Sequence, residues 1–238
     1  MTEERKRLDD VAEWYSATDF EGLMVSESAR RIVQRSRGST VLEVGCAEGH
    51  VTRALSAACD RIVVVEAATN YAEMVRRIGL PNVEVVNCLF EEFVTDDRFE
   101  TIVLSHVLEH VTDPVGLLRK CAALLEPNGV ALVAVPNAGS VHRRIGVEIG
   151  VLTVASELSE ADVQIGHRRV YDEVTLRRDI EAASLRVKEL RGQFLKPLSN
   201  AQMTQLPIDV QEAFMRAGDA LPAEFASELL AQCEVIQH

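Results

Sequence analysis

The sequence predicts an α/β protein: a doubly wound, mostly parallel sheet with its ligand site at the carboxyl ends of the strands. Three observations carry this expectation. β-branched runs near residues 41, 62, 83, 101 and 130 alternate with helical segments, the pattern of repeated βαβ units with right-handed crossovers. A strand, a glycine turn and a helix start follow one another over residues 40–50, T-V-L-E-V-G-C-A-E-G-H. Glu66 ends the next β-branched run, about twenty residues past the turn, where a carboxylate can accept both hydroxyls of a ribose.

The 238 residues suffice for one such domain with insertions. A formal charge of −12, with no long Lys/Arg cluster besides His167-Arg168-Arg169, argues against nucleic-acid binding. The first ten residues, M-T-E-E-R-K-R-L-D-D, lack a signal-type apolar core, and no later run has the length of a membrane span. A soluble cytoplasmic protein with no membrane partner is the expectation. Five cysteines without C-x-x-C spacing read as small buried thiols, neither disulfide framework nor zinc cluster.

Residues 1–37 read as one or two helices: a charged one with Leu8, Val11 and Trp14 at helical spacing, a turn at 16–19, and a basic helix over 28–37. The aromatics Trp14, Tyr15 and Phe20 either staple these helices to the core or belong to a lid. At the turn that follows the first strand, Gly45 and Gly49 let the backbone bend tightly and let a ligand approach. The next helix then aims unpaired N–H groups at that ligand. A dinucleotide fingerprint fits poorly, because His50 holds the third glycine position and Glu43 and Glu48 would repel a pyrophosphate. A cofactor with cationic groups suits these carboxylates better.

Beyond Glu66, a helix over 70–78 ends at Gly79-Leu80-Pro81-Asn82, and residues 83–87 form the third strand. The fourth strand, 99–105, exits into His106-Val107-Leu108-Glu109-His110. Formally this is H-x-x-E-H, a zinc motif when carried on a helix. The histidines instead come straight off a strand and no third ligand is identifiable downstream, so no metal is expected. A helix over 113–125 starts with Pro114 as its first residue, and E-P-N-G closes it before the fifth strand, 130–135. From 138 to 164 the alternation lapses, as expected of an insertion over the site. A helix over 172–183 has Asp172 or Thr175 near its cap. A sixth strand spans 185–194, helices span 208–217 and 223–230, and residues 233–236 return as the last, antiparallel strand. Residues 195–231 then form a second insertion, part of a substrate roof or a dimer contact.

Four motifs resemble, in order, those of the class I S-adenosylmethionine-dependent methyltransferases of small-molecule type: E-V-G-C-A-E-G, S-H-V-L-E-H-V-x-D-P, L-x-P-N-G followed six residues later by P-N, and G-H-x-x-x-Y at Gly166 to Tyr171. The resemblance covers residues 40–190. It implies a Rossmann-like sheet of seven strands and S-adenosyl-L-methionine as cofactor, with S-adenosyl-L-homocysteine as product. Glu43, Gly45, Cys46, Ala47 and Gly49 would hold the amino-acid end, Glu66 with Ala67 the ribose, and Ser105 with His106 the methyl-transfer side. Tyr15 and Met24 would belong to the N-terminal helical lid. In the family an acidic residue often follows the third strand and holds the adenine amino group. Here Cys88-Leu89-Phe90 stands there, leaving adenine to backbone groups near Leu89 and Phe90. His110, His167, Arg168 and Tyr171 would border the acceptor.

The reaction so implied is in-line attack by a small polar or sugar-derived metabolite on the sulfonium methyl. For a hydroxyl acceptor, His106 and His167 are the candidate bases; for an amine or carbon neither is needed. His167 reads equally well as a helix-capping histidine. Two alternatives are a catalytically silent methyltransferase-like subunit that binds cofactor or a partner, and a nicotinamide oxidoreductase, which His50 disfavours.

Overall fold

The computed structural model describes residues 2–14 and 19–236. Seven strands form one sheet: β1 (Thr40–Val44), β2 (Arg61–Val65), β3 (Val83–Val86), β4 (Phe99–Ser105), β5 (Leu125–Pro136), β6 (Leu185–Gln193) and β7 (Glu228–Val235). Their order is β3-β2-β1-β4-β5-β7-β6. The first five are parallel, whereas β7 runs antiparallel between β5 and β6. The chain reverses direction across the sheet between β1 and β4, and ligands of open α/β sheets bind at such a switch point.

Side chains of the central strands alternate between two cores, as the pleat requires. Val41, Ile62, Val64, Val103 and Leu132 meet helices α2 (Asp19–Arg35), α3 (His50–Ser56) and α4 (Thr69–Ile78). Leu42, Val44, Ile102, Leu104 and Val133 meet α5 (Pro114–Leu124) and α8 (Glu173–Ala182) on the opposite face. Both later helices start as the sequence predicts. Asp113 accepts the Gly116 N–H at 2.8 Å ahead of Pro114, and Asp172 and Thr175 form a reciprocal capping box.

The N-terminal helix α1 (Glu3–Trp14) is charged as expected, and α2 is longer than the predicted basic helix. The predicted turn between them and Tyr15 lie outside the described residues. The segment after β5 holds α6 (Val141–Glu148) and α7 (Glu160–Gln164), and the segment after β6 holds α9 (Asn200–Met203) and α10 (Ile208–Gly218).

Two boundaries differ from expectation. β5 begins at Leu125, so E-P-N-G lies inside the strand as an irregularity opposite Phe99 and Thr101, where the partner's register shifts. The helix expected over 223–230 is a single turn, Ala223–Phe225, and Glu228 to Ala231 belong to β7. Leu-Leu-Ala favours a helix locally, but these residues sit between two strands and are buried on both faces, so tertiary pairing overrides propensity.

Candidate active site

The site begins where β1 ends. Gly45 and Gly49 both take left-handed backbone conformations, with φ of 71° and 78°. A β-carbon at Gly45 would also crowd Val107 Cγ2 at 3.0 Å, so the turn needs glycine on two grounds. Between them Ala47 is also left-handed, with φ of 42°. Glu66, at the end of β2, gathers this loop. Its carboxylate accepts the N–H of Cys46 at 2.8 Å, Ala47 at 3.2 Å and Ala68 at 2.8 Å. Burial raises the Glu66 pKa despite these three donors. Asn87, just past β3, donates to the carbonyls of Glu66 at 2.8 Å and Ala67 at 3.2 Å. Gly45, Cys46, Ala47, Glu66 and Ala67 thus meet in one cradle, a tight turn whose Cys46 and Ala47 amides are held on one buried carboxylate, while Gly49 lies against Val75 and Ile78 of α4.

Glu43 stands elsewhere. It lies beneath the loop, fully buried, and accepts the Thr52 hydroxyl of α3 at 2.7 Å. Burial raises its pKa to about 8; the Thr52 hydrogen bond opposes that rise and the Glu66 charge adds to it. The expectation that Glu43 and Glu48 both meet the ligand is therefore corrected: Glu43 is a neutral core acid at neutral pH, and of the two only Glu48 reaches the surface, 3.4 Å from His50 Nε2. Phe90 is also a core residue, stacked on Phe93 with ring centroids 6.2 Å apart, while Leu89 is half-buried beside it.

The exit of β4 forms the second half of the site. Ser105 is half-buried at the strand end. His106 follows with φ of 57°, strained for a residue with a side chain. Its Nε2 lies 2.8 Å from Glu228 of β7 and its Nδ1 3.3 Å from Glu109. Burial disfavours charge on this ring, yet the two carboxylates outweigh it and hold the pKa up at about 10. His106 is therefore a paired imidazolium, and both ring nitrogens are engaged. Glu228 in turn accepts from the Ser28 hydroxyl at 2.8 Å and from the Gln193 side-chain amide. Nothing in the sequence marks Glu228, Gln193 or Ser28: the first two meet as register partners of β7 and β6, and α2 brings Ser28.

The turn after His106 is clamped to the segment before α8. The Arg168 N–H donates to the Glu109 carbonyl at 2.8 Å, and its guanidinium to the His110 carbonyl at 2.9 Å. Arg169 donates to the carbonyls of Leu108 and Val111, both at 2.6 Å. These bonds bring His167 edge-on against His110, ring centroids 4.7 Å apart. His167 Nδ1 lies 3.0 Å from Asp162, whose other oxygen pairs with Arg143 at 3.0 Å. Burial opposes charge on Asp162, but His167, Ser159 and Arg143 hold its carboxyl well below the ordinary range. Burial also pushes the His110 pKa down to about 4. His167 thus belongs to this cluster and does not cap α8; Asp172 does.

Tyr171 does not reach the cluster's open side. Its ring is in the core and its hydroxyl donates to Asp179 at 3.0 Å. Met24 packs with Phe20, Phe194, Met203 and Met215, fastening α2 to the segment after β6. Helix α1 lies across the strand ends: Asp9 accepts the Thr69 N–H at 2.6 Å, Arg5 meets Asn87, Arg7 donates to the Gly166 carbonyl at 3.1 Å, and Glu4 pairs with Arg168 at 2.8 Å.

Among the described residues, no helix is long and apolar enough to cross a membrane. A methyltransferase-domain family profile matches residues 19–190. The ubiquinone biosynthesis O-methyltransferase of Actinobacillus pleuropneumoniae serotype 5b (strain L20) is 26% identical over 171 residues, 68% of this chain and 72% of that protein. Among solved structures, the CcbJ methyltransferase from Streptomyces caelestis superposes with a TM-score of 0.64 at 16% identity, covering 99% of both chains. The N-methyltransferase NodS from Bradyrhizobium japonicum WM9, in complex with S-adenosyl-L-homocysteine, gives 0.61 at 17% identity, covering 99% of this chain and 100% of that one. At these identities the structural likeness is one of fold.

Proposed function

Since the chain belongs to the methyltransferase-domain family and is an S-adenosylmethionine-dependent methyltransferase, we propose that it methylates a small polar or sugar-derived metabolite by in-line attack. The observation that carries this reading is the cradle in which Glu66 collects the Cys46 and Ala47 amides beside the Gly45 turn. It faces the strand ends next to a polar cluster at the exit of β4.

When bound, the cofactor supplies an already activated methyl group on a sulfonium. The chain's part is to hold and orient. The Gly45 to Gly49 loop offers a close backbone approach, and Glu66 offers carboxylate oxygens at the spacing suited to a ribose diol. Leu89 offers an apolar flank, whereas Phe90 acts from the core behind it. Helix α1 spans the loops after β2, β3 and β4 and limits access of water.

The two histidines differ in what they can do for a hydroxyl acceptor. Carboxylates engage both ring nitrogens of His106, so it has no lone pair with which to take a proton; its part is fixed positive charge. His167 commits only Nδ1, to Asp162. Its Nε2 is the ring nitrogen of the pair left for acceptor chemistry. Arg168 is already shared between Glu4 and the His110 carbonyl, and Tyr171 is committed to Asp179. Acceptor recognition therefore falls on the β4 exit and the segments after β5 and β6.

The test is calorimetric titration with S-adenosylmethionine and S-adenosylhomocysteine, with NADH as control. Transfer of isotope-labelled methyl to a panel of sugars, polyols, phenols and amines follows. Binding of the first two and a labelled product supports the reading. Binding with no product on any acceptor class would favour a catalytically silent subunit.

A further inference from the structure

We propose that Glu109, His110 and His167 form a site for a divalent transition-metal ion, for which Zn2+ is the natural probe. Each offers one ligand atom, and these atoms all lie within 4.8 Å of one another. The H-x-x-E-H run has no third ligand in its own neighbourhood. The fold supplies one: Arg168 and Arg169 tie the segment after α7 to the turn after β4 and deliver His167 beside His110.

The second, independent observation is Glu109. Its side chain is wholly buried, and among the described residues neither carboxylate oxygen has a hydrogen-bond partner. One of its oxygens forms an ion pair with His106 Nδ1 at 3.3 Å. Buried carboxylates without hydrogen bonds are rare and call for a ligand. His167 is prepared as a ligand should be. Its Nδ1 is fixed on Asp162, itself held by Arg143 and Ser159, which leaves Nε2 as the coordinating atom. A carboxylate behind a histidine is the usual support of a metal-bound imidazole.

Two imidazoles and one carboxylate suit a zinc-type or non-haem-iron-type ion better than magnesium, which prefers all-oxygen surroundings. Bond lengths of about 2 Å put ligand atoms about 3.3 Å apart around a tetrahedral ion, so the set closes by small side-chain rotations. Three protein ligands leave a position open. The role of the ion rests on the methyl-transfer reading above: the open position takes an acceptor hydroxyl or phenol oxygen and acidifies its O–H, whose proton leaves to solvent. The acceptor oxygen then forms the O–CH3 bond, the S–CH3 bond breaks, and its electron pair stays on sulfur as the thioether of S-adenosylhomocysteine. On this account His167 is a ligand rather than a general base.

The test uses the full chain, stripped with chelator and dialysed. Zn2+ is titrated calorimetrically and Co2+ is added as a spectroscopic probe. The expected result is one ion per chain, with visible Co2+ absorption of a low-symmetry nitrogen and oxygen site. His110→Gln and His167→Gln should each weaken Zn2+ binding at least about tenfold, while His50→Gln, at a residue that pairs with Glu48 and is outside the cluster, should not. No heat and no Co2+ band with the native chain overturns the proposal without reference to any variant. Equal affinity in folded His110→Gln and His167→Gln places the ion elsewhere and also overturns it. S-adenosylhomocysteine titration of the metal-free chain separates the two readings. Cofactor binding without metal binding removes only the ion; metal binding without cofactor binding removes only its role in methyl transfer.

Discussion

His106 Nε2 stands 2.8 Å from Glu228 Oε2, joining the exit of β4 to the first residue of β7 across 122 positions of sequence. The same carboxylate holds Ser28 of α2 and Gln193 of β6, so one side chain ties four elements under the acceptor side of the site. Removing it leaves a half-buried imidazole with Glu109 alone, and Ser28 and Gln193 with only each other, at 3.5 Å. Glu228→Ala should cost about 1–3 kcal/mol, since His106 keeps Glu109 and stays in part open to water, read by urea denaturation. Glu228→Gln keeps an acceptor and should cost less. In both, turnover should fall further than affinity for S-adenosylhomocysteine, because the cradle at Glu66 is untouched. A wild-type midpoint for Glu228→Ala would show that the pair contributes nothing.

Glu66→Ala tests the cofactor half. Hydrogen bonds to a charged acceptor contribute about 1.5–3 kcal/mol each, and Glu66 both shapes the loop through three amides and offers oxygens to a diol. S-adenosylhomocysteine affinity should drop by about tenfold to a hundredfold by calorimetry. Unchanged affinity would take Glu66 out of the site.

What the sequence made legible was local chemistry. The glycine turn, Glu66 and the caps at Asp113 and Asp172 each depend on residues within a few positions of one another, or on a fixed strand–helix spacing, so the pattern is visible in the string. The cluster around His106 is not local. Its carboxylate Glu228 arrives because β7 inserts between β5 and β6, and His167 arrives because two arginines clamp distant turns. Phe90 and Tyr171 show the opposite failure. Each stands at a position the motifs assign to a ligand, but whether an aromatic side chain faces the cleft or the core depends on what packs behind it. Here Phe93 and Asp179 take them inward. Glu43 misleads in the same way: a carboxylate in a ligand loop reads as surface charge until Thr52 is found beneath it.

Helix α1 crosses the strand ends on few anchors. Arg7 of α1 reaches the Gly166 carbonyl at 3.1 Å and, beside Arg168, the His110 carbonyl at 3.4 Å. Arg7→Ala should therefore loosen the cover more than the fold. The expected outcome is severalfold faster release of S-adenosylhomocysteine in stopped-flow displacement, with a melting temperature close to wild type. An unchanged release rate would mean that α1 does not gate the site.

Glu43 gives the protein a pH dependence whose sign can be worked out. Its pKa is about 8 in the folded chain against an ordinary value of 4.5. Between those values the folded state holds a proton that the unfolded state has released, so stability falls as pH rises through this window. Below it both states are protonated and nothing is lost; above it the full penalty of a buried carboxylate is present. Gln at this position mimics the protonated acid and can still accept the Thr52 hydroxyl. Glu43→Gln should therefore match the wild type near pH 4.5 and exceed it by a few kcal/mol above about pH 8. Urea denaturation of both proteins across that range checks the point. Parallel stability curves would show that Glu43 ionises in the folded chain as it does in water, and that the space between β1 and α3 admits solvent.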